Sequence, residues 1–409
     1  MQKKQGGYTM KSLKELFRIG PGPSSSHTIG PQRACLEMLK RSPDADHFRV
    51  TLYGSLALTG KGHLTDAIIE KTLAPKPCEI IMNYTDTMPH PNTLTLCAYD
   101  RDDRLLNTLT VYSIGGGAIE IEGEKSAEGQ SIYPHHSLDE IMQYCHEENI
   151  DFCAYVDRFE GENINVYLND ILIQMCRTVD TGLNTAGILP GKLNMERIAR
   201  SLLQEAITCE GSEREKLLLS SYAYAASEEN AAGGMTVTAP TLGSSGLLPS
   251  LLYYYYYDLK RQREELVNAL KVAGLIGNLI KYNATISGAQ GGCQAELGAA
   301  CSMGAAMIAY LMGLSMDQIE YAAEMGIEHH LGLTCDPVGG YVMIPCIERN
   351  AVCALRAIDA AVLAKHLRKV HKNRVSFDMV VETMNKTGMK LPIELKESAL
   401  GGLASVIKI

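Results

Sequence analysis

Four cysteines, Cys293, Cys301, Cys335 and Cys346, lie in two glycine-rich stretches, GAQGGCQAELGAACSMG and EHHLGLTCDPVGGYVMIPCIERN. Glycines and prolines flank the thiols, so several of them fall on turns rather than on helix faces. Turns can bring thiolates from distant parts of a chain onto one ion or cluster. Such a donor set is soft, and the chemistry it points to is a metal site, iron–sulfur first. Zinc is the rival reading, but the paired C-x-x-C knuckles of structural zinc are missing. Cys301, on a helical pattern, reads as a buried free thiol, and Cys35, Cys78 and Cys209 stand as singletons. Three thiolates on a four-iron cluster leave one iron open. An open iron is a Lewis acid for a substrate oxygen, which suits an elimination rather than electron transfer.

An elimination next to an amino acid carboxylate also needs a positioned base, and His27, His329 and Glu328 are the candidates. His27 lies in GPGPSSSHTIGPQRACLEML. There Ser24, Ser25, Ser26 and Thr28 offer hydroxyls beside free backbone N–H groups, a combination able to hold a carboxylate. The plainer reading is a capping turn before a helix that starts near Pro31, where proline fits the first turn. No G-x-S-x-G elbow supports a serine nucleophile. A second polar loop, NAAGGMTVTAPTLGSSGLLPS, crowds Asn230, Thr236, Thr238 and Thr241 between glycines and Pro240 and reads as a substrate-binding loop, with Thr238, Thr241 and Ser244 as its candidate contacts. SIGGG at Ser113–Gly117 reads as a tight turn between strands, and no dinucleotide fingerprint follows it.

These groups must be carried by more than one core. The 409 residues favour two domains. HFRVTLYG and CEIIMNY alternate or run apolar as strands do, and SLDEIMQYCHEEN reads as a helix capped by Ser137. After the polar FEGENIN the pattern turns helical, with small apolar residues that suggest helices buried on most faces. The expected fold class is α+β: an N-terminal α/β domain over 1–160 that contributes the SSSHT loop, and an all-helical domain over 161–409 that carries the metal site. A net charge of −9 without basic blocks argues against nucleic acid and anionic membrane as partners. No export signal or long apolar span is visible, and twelve cysteines read as reduced thiols of a cytoplasmic protein.

At these residues the chain resembles the iron–sulfur-dependent L-serine dehydratases, or L-serine ammonia-lyases. GPSSSHTIGPQRA, TVYSIGGGAIE, TVTAPT, ISGAQGGCQAELGAACSM, EHHLGLTCDPVGGYVMIPCIERNAV and KESALGGLA carry the resemblance, across nearly the whole chain. It implies a single-chain fusion of the β and α domains and a [4Fe–4S] cluster held by Cys293, Cys335 and Cys346. It further implies loss of water from L-serine to give pyruvate and ammonia, a homodimer, and residues Ser24–Thr28 reaching the active site. His27 is then the expected base or orienting group, and Arg349 and Lys396 remain as carboxylate contacts. The chain departs from the family pattern at Leu242, where an amide is common, at His330, where asparagine is common, and at Leu400, where arginine is common. These changes motivate a second reading, the same elimination on another β-hydroxy or β-thiol amino acid. A non-catalytic iron–sulfur sensor is the reading from a different class, and the hydroxyl-rich loops speak against it.

Overall fold

The computed structural model describes residues 10–124 and 131–408. Residues 1–9, part of the stretch read as lacking an export signal, lie outside them. Alternation in His47–Tyr53 buries Phe48, Val50 and Leu52 on one face, as a strand half-covered by helices requires. This strand is second in a five-stranded sheet ordered Cys78–Asn83, His47–Tyr53, Thr93–Tyr99, Leu105–Gly115, Ala118–Ile121. The first pair is parallel, with Val50 opposite Ile80; the others are antiparallel, with Val50 opposite Leu96 and Leu96 opposite Leu109. The helices Gly30–Arg41 and Thr65–Leu73 cover one face through Ala34, Cys35, Met38, Ile69 and Leu73. The SIGGG turn closes the last hairpin. Gly115, Gly116 and Gly117 there all take positive φ, which explains why three glycines stand in a row.

The larger core is helical. Its centre is Leu297–Leu311, buried along nearly its whole length, with Arg263–Asn283, Met316–Glu328 and Cys346–Leu367 around it. Small residues let these helices approach closely. A Cβ on Gly326 would stand 2.8 Å from the Ser302 backbone, so that helix contact is made main chain to main chain. The architecture is therefore the expected α+β arrangement, a mixed α/β region followed by a larger helical one.

Two details of packing matter for the site. Met10, Leu13, Leu16 and Phe17 sit in the helical core, and Ile19–Pro21 pairs antiparallel with Met235–Val237. The chain is thus anchored on the helical body immediately before it enters the SSSHT loop and crosses to the sheet. FEGENIN is a short break at Gly161–Glu162 between the helices Phe152–Glu160 and Asn163–Asn184, stopped by Gly161 at φ 74°, and both helices pack in the helical core.

Candidate active site

The three resemblance-implied thiols come from three kinds of backbone. Cys293 opens a single 3₁₀ turn after Gly292, whose positive φ swings the chain round under the Leu333 carbonyl. Cys335 is extended: its N–H donates to the Leu395 carbonyl at 2.9 Å and its carbonyl accepts from Glu397 N–H at 2.7 Å. Cys346 is the first residue of the helix Cys346–Leu367, where the dipole favours negative charge. All three are buried. Sγ of Cys293, Sγ of Cys335 and a carboxylate oxygen of Glu296 lie within 4.8 Å of one another. Contact with Cys293 and burial push the Cys335 thiol up; burial, Cys293 and Glu296 push Cys346 up.

That crowding is the test of fit for a metal. Buried thiols pressed together resist ionising until a cation shares their pocket, and thiolates are the ligands iron–sulfur groups take. The donor set suits such a group. Arg349 adjoins it, bonded to the Thr334 carbonyl at 2.7 Å and facing Asp336 at 3.6 Å, with Cys293 and Cys346 among the groups that raise its pKa. Cys301 lies inside a helix with its thiol on the Cys353 carbonyl at 3.5 Å, consistent with a buried free cysteine.

Beside the thiols stands a second buried set, His27, His63 and Glu397, whose ligating atoms also lie within 4.8 Å of one another. The SSSHT residues form a buried π-helical turn, Ser25–Ile29, running into Gly30–Arg41 with Pro31 in its first turn. Asn230 donates to the Pro23 carbonyl at 2.8 Å and Ser113 to the Ser26 carbonyl at 2.8 Å, so both the end of the helix Gly211–Ala231 and the SIGGG strand hold the loop in place. His63 reaches the site because Gly62 packs directly on the Gly340 backbone, where a Cβ would stand 2.5 Å from its carbonyl. The two imidazoles stack at 4.3 Å.

Counting hydroxyl protons fixes the tautomers. Ser55 spends its single proton on the Glu397 carbonyl at 2.7 Å, and Thr59 spends its own on the Ser55 carbonyl at 2.9 Å. Both offer only lone pairs to His27 Nε2, at 3.2 and 2.9 Å, so Nε2 carries the hydrogen. His27 Nδ1 is therefore bare, 3.3 Å from the Ser24 hydroxyl and 3.7 Å from Glu397 Oε1. His63 donates from Nδ1 to the Thr59 carbonyl at 3.0 Å, which leaves its Nε2 bare, 3.6 Å from the same Glu397 oxygen. Two lone pairs facing one carboxylate oxygen repel it, and a proton on Glu397 removes the conflict. Ionisation agrees: burial, Glu296 and Cys293 hold Glu397 well above the carboxylate range, while burial and His63 hold His27 well below the ordinary imidazole value. Among the described residues the other carboxyl oxygen of Glu397 is buried without a hydrogen-bond partner.

His63 gives a pH prediction. Burial holds it down at about 4, against a smaller upward pull from its bond to Thr59. The unfolded chain returns it to the ordinary 6.5, so below that value the unfolded state binds the proton more tightly. Stability present above pH 6.5 is then lost as pH falls towards 4, by roughly 3 kcal/mol from this group. Urea titrations across that interval should show a shallower loss for His63→Gln than for the parent chain. Equal slopes would mean that His63 does not titrate in this way.

The remaining expected site residues divide. Thr241 donates to Glu296 at 2.7 Å, and Ser244 lies 3.2 Å from Thr241, so both reach the thiol set. Thr28 bonds the carbonyls of Pro21 and Ser24, and Thr238 bonds the Leu16 carbonyl, so both act as clamps on backbone. His329 is not brought to the site. It caps the helix Met316–Glu328 with its side chain 63% exposed, paired with Glu328 at 3.3 Å. His330 faces the Cys353 thiol at 3.2 Å, Leu242 is buried between Thr241 and Gly243, and Leu400 is exposed. Glu296, His63 and Glu397 were not among the expected site residues. Their signal in the sequence is slight: each stands in a quoted or glycine-flanked stretch, QAELG, KGHLT or KESALGG, with nothing in its spacing to mark it.

Comparison with known proteins agrees with this geometry. Residues 12–79 match the family description "Serine dehydratase beta chain" and residues 80–404 match "Serine dehydratase alpha chain". The chain is 37% identical to L-serine dehydratase 1 of Escherichia coli strain K12, covering 97% of this chain and 99% of that protein. It is 38% identical to an L-serine dehydratase of Streptomyces coelicolor, covering 96% and 98%, and 36% identical to one of Helicobacter pylori strain 26695, covering 97% and 99%. Both family portions and the thiol-lined site occur in one polypeptide, and the chain belongs to the serine dehydratase family, in its form with fused beta and alpha portions.

Proposed function

We propose that the chain converts L-serine to pyruvate and ammonia by eliminating water, with a [4Fe–4S] cluster on Cys293, Cys335 and Cys346. The observation that carries this reading is geometric: beside the thiol set the hydrogen-free Nδ1 of buried His27 lies 3.7 Å from Oε1 of buried Glu397, with the imidazole pKa pushed down and the carboxyl pKa pushed up. Environments that push two titratable groups apart mark the acid and the base. When bound, the cluster supplies Lewis acidity that eases departure of the β-hydroxyl. The protein's own groups do the rest. Ser24, Ser25 and Ser26, with Arg349, hold the substrate carboxylate. His27 Nδ1 takes the α-proton, and its fixed Nε2–H keeps that nitrogen aimed. Glu397 gives its proton to the leaving hydroxide, releasing water. The aminoacrylate left behind tautomerises and hydrolyses to pyruvate and ammonium. His27 then returns its proton to Glu397, and both groups regain their starting states.

Glu397→Gln removes the acid but keeps a neutral side chain of the same shape. The folded state should persist while kcat falls by about 100-fold, the usual contribution of a positioned acid. Undiminished kcat would assign the leaving-group proton elsewhere. The thiol ligands support action in the reducing cytoplasm, burial of the site supports a small amino acid as substrate, and the family resemblance supports a homodimer. Two cores support two packing units, a sheet core over residues 34–111 whose side of the fold lends the loop and a helical core that holds the thiols; within the proposed 1–160 portion, residues 10–17 and 133–156 pack in the helical core. Comparing kcat/KM on L-serine, L-threonine and L-cysteine tests the substrate. L-serine should lead; a lead by either competitor would transfer the reading to that amino acid.

A further inference from the structure

The helix Cys346–Leu367 buries one face through Ala351, Ala354, Ala357, Ala361 and Ala364 and leaves the other bare. The bare stripe is Val352, Arg356, Asp359 and Leu363, with Val352 and Leu363 each 49% exposed. Steps of four, three and four residues place all of them on one side of the helix. The stripe is also symmetric in its spacing. Val352 and Leu363, and likewise Arg356 and Asp359, stand at equal distances from the midpoint between Ala357 and Ile358.

A two-fold axis through that midpoint lays a second copy of the helix antiparallel on the first. Val352 of one copy then meets Leu363 of the other, and Arg356 meets Asp359, each contact occurring twice. Within one chain Arg356 Nη1 already lies 3.4 Å from Asp359 Oδ2. Two copies bring these four charges into a ring of alternating sign between two apolar pairs. Apolar ends with a complementary charged centre match what an interface needs, anchors for affinity and charges for register. A lipid surface does not suit a stripe whose middle is an ion pair, and symmetric spacing with opposite charges fits a second copy of the same stripe.

We propose that this helix face is the two-fold interface through which two copies of the chain pair. The proposal deepens the homodimer part of the proposed function and is independent of the reaction assigned there. Sedimentation equilibrium of the full-length chain at micromolar concentration should give a mass of two 44.6 kDa copies. Arg356→Glu sets like charges opposite one another twice and should weaken dimerisation by about 100-fold or more. Asp359→Arg should do the same from the other side. Combining Arg356→Asp with Asp359→Arg restores opposite signs and should restore the dimer. Both side chains are exposed, so the variants should keep the parent circular dichroism, and Val352→Lys supplies an independent break if one does not. A monomeric parent chain would overturn the homodimer reading together with this surface. A dimer indifferent to Arg356→Glu would overturn the surface alone, and failure of the charge swap to rescue would overturn the antiparallel pairing.

Discussion

Replacing His27 by alanine should lower kcat for pyruvate formation by roughly 10³-fold, within the range a positioned general base contributes. The expectation rests on one nitrogen. Ser55 and Thr59 commit their protons to carbonyls, so His27 must donate from Nε2 and present Nδ1 bare. Burial and the stacked His63 keep the ring neutral at neutral pH, the state a base requires. The acid limb of kcat/KM should accordingly lie well below the ordinary imidazole value, because activity is lost only as pH falls through the depressed pKa of His27. Iron content should hold, since no atom of His27 belongs to the thiol set. Steady-state assays beside iron quantification check both halves. Turnover within tenfold of the parent would reduce His27 to a structural part of the loop.

Cys335→Ser should cost the site its metal and its activity together. Serine keeps the shape but exchanges a soft sulfur for a hard oxygen, which iron–sulfur groups seldom accept. The loss reaches further than one ligand. Cys335 lies in the short extended segment whose carbonyl receives Glu397 N–H, so a displaced residue 335 also loosens the proposed acid. Lewis-acid assistance is worth several kcal/mol, so kcat should fall by about three powers of ten in chains that retain no iron. Iron and sulfide analysis with the visible spectrum reads the first effect and pyruvate release the second. Full iron with full activity would remove Cys335 from the ligand set.

The fold was legible where local patterns are strong. Alternation in His47–Tyr53 marks a half-buried strand, Ser137 marks a helix start, and Pro31 marks another. The break at Gly161 was legible as a turn, but a turn does not reveal which core its flanking helices join; long-range packing decides that. In the site, thiols framed by glycine and proline stand out because ordinary cores do not ask for them. Thr28 and Thr238 show the opposite side of such reading. A hydroxyl in a polar loop looks available to substrate until its backbone partner is seen. His63, Glu296 and Glu397 stay hidden for another reason. Each is a single polar residue in an unremarkable context, and His63 meets Glu397 from more than 300 positions away in the chain. His329 has the residue type of a base, but its place at a helix end turns it to solvent.

The most direct test is anaerobic purification followed by iron and sulfide quantification, then assay of pyruvate and ammonia from L-serine on the same sample. The expected result is about four irons per chain, as a [4Fe–4S] cluster requires, with pyruvate and ammonia formed in equal amounts and both lost when the iron is removed. A chain that forms pyruvate without iron, or that holds its full iron and releases no pyruvate from L-serine, would contradict an iron–sulfur-assisted elimination of serine at this site.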